Sequence, residues 1–249
     1  MTFTNMLVIM SDEHSTKTLG CYGSDVVKTP TLDALAARGT LFEAAYCASP
    51  ICVPARASFA TGRYTHEVGN WDNGHPYSGT VKGWGHRLQD EGHPVLSIGK
   101  LHYRREDDPT GLDRQILPMH VVDGVGDVLG CVRDPLPVRH ACKKLSEKIG
   151  PGSSGYIDYD TNIAEEASRW LKSDDATKAD KPWCLFVSFV CPHFPLIAPP
   201  AFYELYDPEV IDVPKAHPST GYRRHPWLED SAECMIFDRF FTPETRRIA

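Results

Sequence analysis

The chain lacks the features that mark several large functional classes. Its amino terminus, MTFTNMLVIMSDEH, carries an apolar stretch too short to span a bilayer, with no basic leader before it and no small-residue cleavage site after it. That stretch reads as a first strand, and the expected location is cytoplasmic. No excess of positive charge is present: the formal net charge is -7 over 249 residues, which provides no general attraction to nucleic acid or an anionic membrane. Local basic residues can still hold a small anion. There is no Gly-x-Gly-x-x-Gly, no phosphate loop ending in Gly-Lys-Ser/Thr, no internal repeat and no low-complexity tract. The eight cysteines are scattered without Cys-x-x-Cys or zinc-finger spacing, so reduced thiols are expected rather than a disulfide framework.

What is present describes a globular protein. Hydrophobic residues make up 41% and charged residues 24%, and the length suits one large domain or one domain with excursions. Apolar runs at Asn5 to Met10, Pro94 to Ile98 and Trp183 to Val190 read as strands, with a shorter one at Thr40 to Ala45. Helices are expected from Thr29 to Gly39, with Thr29 as cap and Pro30 opening the first turn, from Gly85 to Glu91, and from Tyr159 to Lys172. Residues 64 to 79 and 104 to 150 read as irregular, the latter as an insertion with one short helix near His140 to Lys148. Residues 200 to 208 suggest a short aromatic helix, 209 to 228 a proline-rich loop, and the last segment a new helical element. Strands alternating with helices imply an α/β fold with a mostly parallel central sheet flanked by helices.

The chemistry-bearing residues cluster where such a sheet exposes them. In CASPICVPARASFATGRY, residues 47 to 64, Pro54 suits a helix's first turn and Gly62 its end, which puts Cys52 at the amino end and Arg56 one turn on. Unpaired peptide NH groups there favour a thiolate or a bound oxyanion, and Arg56 adds a fork of donors. A structural cysteine beside a surface arginine fits the same letters. Asp12 and Glu13 follow the first strand and offer oxygen ligands to a hard cation, although strand-end acids also serve as caps. Lys100 and His102 follow the second, and share a face if the extended backbone continues; they can neutralise an anion and exchange a proton. His193 follows the third. Trp71, Asn73, His75 and Tyr77, in the loop after the Cys52 helix, are candidates for a pocket wall or for loop packing.

Cys52-x-Pro54-x-Arg56 followed by Thr61-Gly62-Arg63, with Gly99-Lys100-x-His102, resembles the signature of the type I, formylglycine-dependent sulfatases of the alkaline-phosphatase-like superfamily. The resemblance extends over nearly the whole chain and is weakest from 104 to 150. It implies one amino-terminal portion of a sulfatase catalytic domain over residues 1 to 249, and a maturase that converts Cys52 into formylglycine. A hydrated aldehyde attacks sulfur through one hydroxyl, and deprotonation of the other expels sulfate, an exit that a serine ester lacks. It further implies that Asp12, with Glu13 less typical at its position, holds a divalent cation, calcium ahead of manganese or magnesium. Arg56 and Lys100 would offset anionic charge, His102 would stand beside the formylglycine hydrate, Asn73 near the sulfate oxygens, and His193 at the departing alcohol. The implied substrate is a small-molecule sulfate ester, with no nucleic-acid or membrane partner. A phosphonate monoester or phosphodiester suits the same scaffold. So does an inactive fragment or binding domain, because sulfatases are usually longer and draw further metal ligands and a second lysine from downstream sequence.

Overall fold

The sequence alternates apolar strands with helices, and the computed structural model, which describes residues 4–126, 134–211 and 221–249, follows that alternation. In chain order the elements are β1 (Met6–Met10), α1 (Pro30–Ala37), α2 (Cys52–Thr61), α3 (Thr65–Val68), α4 (Trp84–Asp90), β2 (Val95–Lys100), β3 (Arg114–Met119), α5 (Lys143–Ser146), β4 (Ile149–Pro151), α6 (Gly155–Leu171), α7 (Asp174–Thr177), β5 (Cys184–Ser188), β6 (Leu196–Ala198), α8 (Pro200–Tyr203), α9 (Pro226–Met235) and α10 (Pro243–Ile248). Two compact units result. One comprises Met1–Asp12, Tyr46–Cys131 and Asp158–Cys191, and the other Glu13–Ala45, Val132–Ile157 and Pro192–Ala249.

The first unit is built on a four-stranded sheet of order β1-β5-β2-β3 in which every neighbouring pair is parallel. Side chains alternate across a strand, so a buried parallel strand needs apolar residues on both faces. β5 and β2 meet that need and are buried along their whole length. Leu96, Ile98, Leu185 and Val187 share one cluster with Ile163, Ala167 and Trp170 of α6. Phe186, Val8 and Met10 turn to the other cluster, with Ala57 and Ala60 of α2. Each face of the sheet is thus covered by a helix whose small or branched residues fit against it. Ile163 is fully buried against the sheet. Its replacement by Val is expected to lower the unfolding free energy by about 1 kcal/mol, read from the urea midpoint.

At the end of β2 the backbone departs from regularity. The β2–β3 register shifts between Ile98 and Lys100, and Gly99 has φ 99°. A Cβ at Gly99 would stand 2.2 Å from the Ser188 carbonyl oxygen and 2.6 Å from Ile163 Cδ1. Only glycine allows β2 and β5 to approach this closely beside α6. Asn5 and Trp183 tie the opposite end, where the Trp183 amide donates to Asn5 Oδ1 at 3.1 Å.

Several expectations need correction. Residues 104 to 150 contain β3, an ordinary member of the sheet hidden by Arg114 and Pro118, whose charge and missing NH are typical of an edge strand. Thr40 to Ala45 forms no strand. A helical turn, α3, interrupts the 64 to 79 loop, and α9 occupies the end of the expected 209 to 228 loop, of which 212–220 lies outside the described residues. α2 begins at Cys52, so Pro54 is its third residue rather than its first. Tyr77 is no pocket wall: it is buried in the α2-side core, its hydroxyl donating to the Val81 carbonyl at 2.7 Å.

In the second unit α1 opens at Pro30 as expected, but Thr29 does not cap it through its side chain. Instead Thr29 Oγ1 accepts from the Gly20 amide and donates to Asp33, whose carboxylate also accepts from the Cys21 amide. β4 and β6 pair in parallel, and Asp238 joins Arg224 to Arg246. The described cysteines Cys21, Cys47, Cys142, Cys184, Cys191 and Cys234 are thiols, and burial pushes that of Cys184 up to about 11. Among the described residues no helix is long and apolar enough to cross a membrane.

Burial also sets a pH response. His120, held between the Tyr103 carbonyl and Gln115 Oε1, has its pKa lowered below the ordinary 6.5, first by desolvation. The folded state therefore binds fewer protons than the unfolded chain as pH falls through 6.5, and stability declines in that direction. His120→Gln is expected to flatten this acid limb in urea midpoints measured from neutral to mildly acidic pH.

Candidate active site

Parallel strands bring their carboxyl ends to one edge of the sheet, and the residues just beyond those ends face a common surface. Here Met10 and Gly99 both pair with Ser188, so β1, β5 and β2 end level. Asp12, Ser188 and Lys100 consequently lie together although far apart in sequence. All three are buried, with Lys100 only 1% exposed. A buried lysine needs an anionic partner, and Lys100 Nζ forms an ion pair with Asp12 Oδ2.

α2 delivers the remaining groups. It starts at Cys52, with Ile51 in extended geometry before it, and stops at Gly62, whose φ of 66° a glycine adopts without strain. Because Cys52 is the first helical residue, its side chain sits beside the helix's unpaired amides. The Val53 amide is met by Asn73 Oδ1 at 3.1 Å, so the loop carrying Asn73 supplies the cap that Ile51 cannot. Cys52 Sγ lies 3.7 and 3.8 Å from the two Asp12 oxygens and 3.9 Å from Lys100 Nζ.

Arg56, one turn along the same helix, is also buried. Its Nη1 donates to the Lys100 carbonyl at 2.6 Å and to Ser188 Oγ at 2.9 Å, while Nη2 reaches Asp12 Oδ2 at 3.5 Å. One guanidinium thus joins α2 to the ends of all three strands. This differs from the expectation that Arg56 simply faces an anion: most of its donor capacity is spent on the fold. Ser188 was not anticipated as part of the site. The available signal was a hydroxyl closing the otherwise apolar run Cys184–Ser188.

Two cations against one carboxylate leave a positive excess beside Cys52, within a water-poor site where charge acts strongly. The centre therefore suits an anion approaching the thiol position. His102 lies two residues past Lys100, with its amide on the Met119 carbonyl at 2.7 Å and φ at 51°. Extended geometry does not continue to His102, and the shared strand face expected for Lys100 and His102 is lost. Glu13, also at positive φ, and His193 belong to the second unit. There His193 Nδ1 lies 2.8 Å from the Phe194 carbonyl, and the ring meets Tyr156 edge-on at 5.9 Å. Trp71 is exposed, and His75 is paired with Asp72 at 2.7 Å.

Residues 4–106 match the family model described as Sulfatase. The choline-sulfatase of Rhizobium meliloti is 29% identical over 224 residues, which cover 84% of this chain and 43% of that protein. Iduronate 2-sulfatase of Homo sapiens is 26% identical over 238 residues, covering 90% and 42%. The chain thus spans about two fifths of the length of these relatives. Among solved structures, the phosphonate monoester hydrolase of Agrobacterium radiobacter superposes with a TM-score of 0.62 at 19% identity, over 99% of this chain and 56% of that one. A structure solved with D-glucosamine-2-N,6-O-disulfate gives 0.54 at 24% identity, over 76% and 35%. At such identities the superpositions establish the fold alone. Taken with the level-ended parallel sheet and the sequence matches, they identify the chain as the amino-terminal part of a sulfatase domain of the alkaline-phosphatase-like superfamily.

Proposed function

We propose that this domain hydrolyses a small-molecule sulfate ester to an alcohol and sulfate, with Cys52 matured to formylglycine by a dedicated enzyme. The observation that carries the reading is the Asp12–Cys52–Arg56–Lys100 cluster, a nucleophile position at a helix amino end beside excess positive charge. Formylglycine, once installed, supplies a nucleophile that can release sulfate without water attacking a sulfate ester. Lys100, with Nζ between Asp12 and Cys52, is the cation that meets the substrate's anionic oxygens. Arg56 holds the Cys52 helix to the strand ends and adds charge from behind. Asn73, capping that helix, is positioned to offer its amide to a sulfate oxygen. His102 exchanges a proton beside residue 52, and His193 serves the departing alcohol; both roles rest on the family resemblance.

A divalent cation, calcium first, belongs to this reading. Asp12 is the hard oxygen donor such an ion takes, buried and close to Cys52, with Glu13 next in the chain. A calcium shell of about six to eight oxygens needs more donors than Asp12 supplies, so the fit extends to one ligand position and no catalytic step is derived through the ion.

The test begins with peptide mass spectrometry across residue 52 in protein from the native host, followed by assays on matched sulfate and phosphonate monoesters. Formylglycine at residue 52 together with preferential sulfate release is the expected result. Unmodified Cys52 in protein that still turns over, or a preference for the phosphonate, would overturn it.

A further inference from the structure

The sheet of the first unit has two edges of opposite character. β3 forms one, and its sequence, Arg114 to Met119, protects it with a charge and with Pro118. β1 forms the other and reads Met-Leu-Val-Ile-Met, with no charge, proline or bulge. Its pairing with β5 is one-sided: the Met6 amide donates to the Trp183 carbonyl, and the Met10 carbonyl accepts from the Phe189 amide. By the alternation of a parallel ladder, Leu7 and Ile9 turn their NH and C=O groups to the open side. Their side chains are also uncovered, at 44% and 64% exposure, and Met6 is at 43%. Apolar residues on both faces are the pattern of a strand inside a parallel sheet, and an unprotected apolar edge favours pairing with a further strand.

We propose that β1 is an interior strand of a larger sheet, and that its open edge takes a β-strand from polypeptide corresponding to the part of the relatives that this chain does not span. The amount of such polypeptide is large. The chain covers 43% of the choline-sulfatase, and nearly all of it superposes on only 56% of the phosphonate monoester hydrolase. The incoming strand pairs with the amides and carbonyls of Leu7 and Ile9 and carries apolar residues on both faces; the helix that follows or precedes it covers Leu7 and Ile9. This inference rests on sheet order, so it stands or falls separately from the chemistry proposed above.

The experiment places the photo-crosslinking residue p-benzoylphenylalanine at Ile9 in protein made by the native host, and identifies the crosslinked peptide by mass spectrometry. The expected peptide aligns with the region of the sulfatase relatives outside the segment matched here. Amide exchange at Leu7 and Ile9 should be at least about a hundredfold slower in the native-host protein than in the 249-residue chain alone. A crosslink to β1 of a second copy, a crosslink to an unrelated protein, or equal exchange in both samples would each overturn the proposal. Protection of the β5 amides reports whether the labelled protein is folded; if the label unfolds it, exchange in the unlabelled protein decides.

Discussion

Arg56→Met is expected to lower the unfolding free energy by about 3–5 kcal/mol, the cost of breaking a buried charged network by removing one partner. Met keeps much of the side chain's volume, so the loss reports the guanidinium rather than a cavity. Three groups lose a donor at once: the Lys100 carbonyl, Ser188 Oγ and Asp12 Oδ2. All lie in residues that are buried, so water does not readily replace it. Arg56→Lys should recover only part of the loss, because an ammonium cannot present a planar fork to a carbonyl, a hydroxyl and a carboxylate together. Urea denaturation of the three proteins checks this. A change below about 1 kcal/mol for the Met variant would place Arg56 outside the framework that holds the strand ends.

Cys52→Ala separates chemistry from stability. Turnover of a sulfate ester should fall by roughly ten-thousand-fold or more, as expected when a covalent nucleophile is removed. The unfolding free energy should change by only about 1 kcal/mol, because Cys52 is partly exposed and contributes a single small side chain. A double mutant with Arg56→Met should therefore show the Arg56 loss in stability and no further loss in turnover. Retained activity in Cys52→Ala would remove the nucleophile assignment whatever the fold.

Much of this architecture was readable because its signals are local. β1, β2 and β5 are uninterrupted apolar runs, α6 carries Ile163, Ala167 and Trp170 at helical spacing, and Gly62 marks the end of α2. The association of Asp12, Cys52, Arg56 and Lys100 was legible once those runs were taken as parallel strands with a common carboxyl edge. What escaped depends on partners distant in sequence. β3 looked irregular because an edge strand tolerates Arg114 and Pro118, which a central strand would reject. The left-handed backbone of His102 is set by its amide bond to Met119, and no local sequence rule places a non-glycine residue there. Asn73 reads as a ligand for an anion, yet its carbonyl end serves Val53, a use visible only when the loop and α2 meet. The duty of Arg56 required knowing that Ser188 ends level with Gly99.

The position of β5 between β1 and β2 has a bearing on synthesis. β1 and β2 share no hydrogen bonds, so neither can join the sheet until β5, made after both, arrives to lie between them. Ser188 follows Arg56 by 132 residues. At about 5–20 residues per second, the ribosome needs roughly 7–26 s to travel that distance. Throughout that interval Arg56 lacks its Ser188 acceptor, and the segment bearing Cys52 remains an unanchored, extended substrate. A modifying enzyme that reads this segment as a linear peptide therefore has seconds of access during translation, which arrival of the central strand ends.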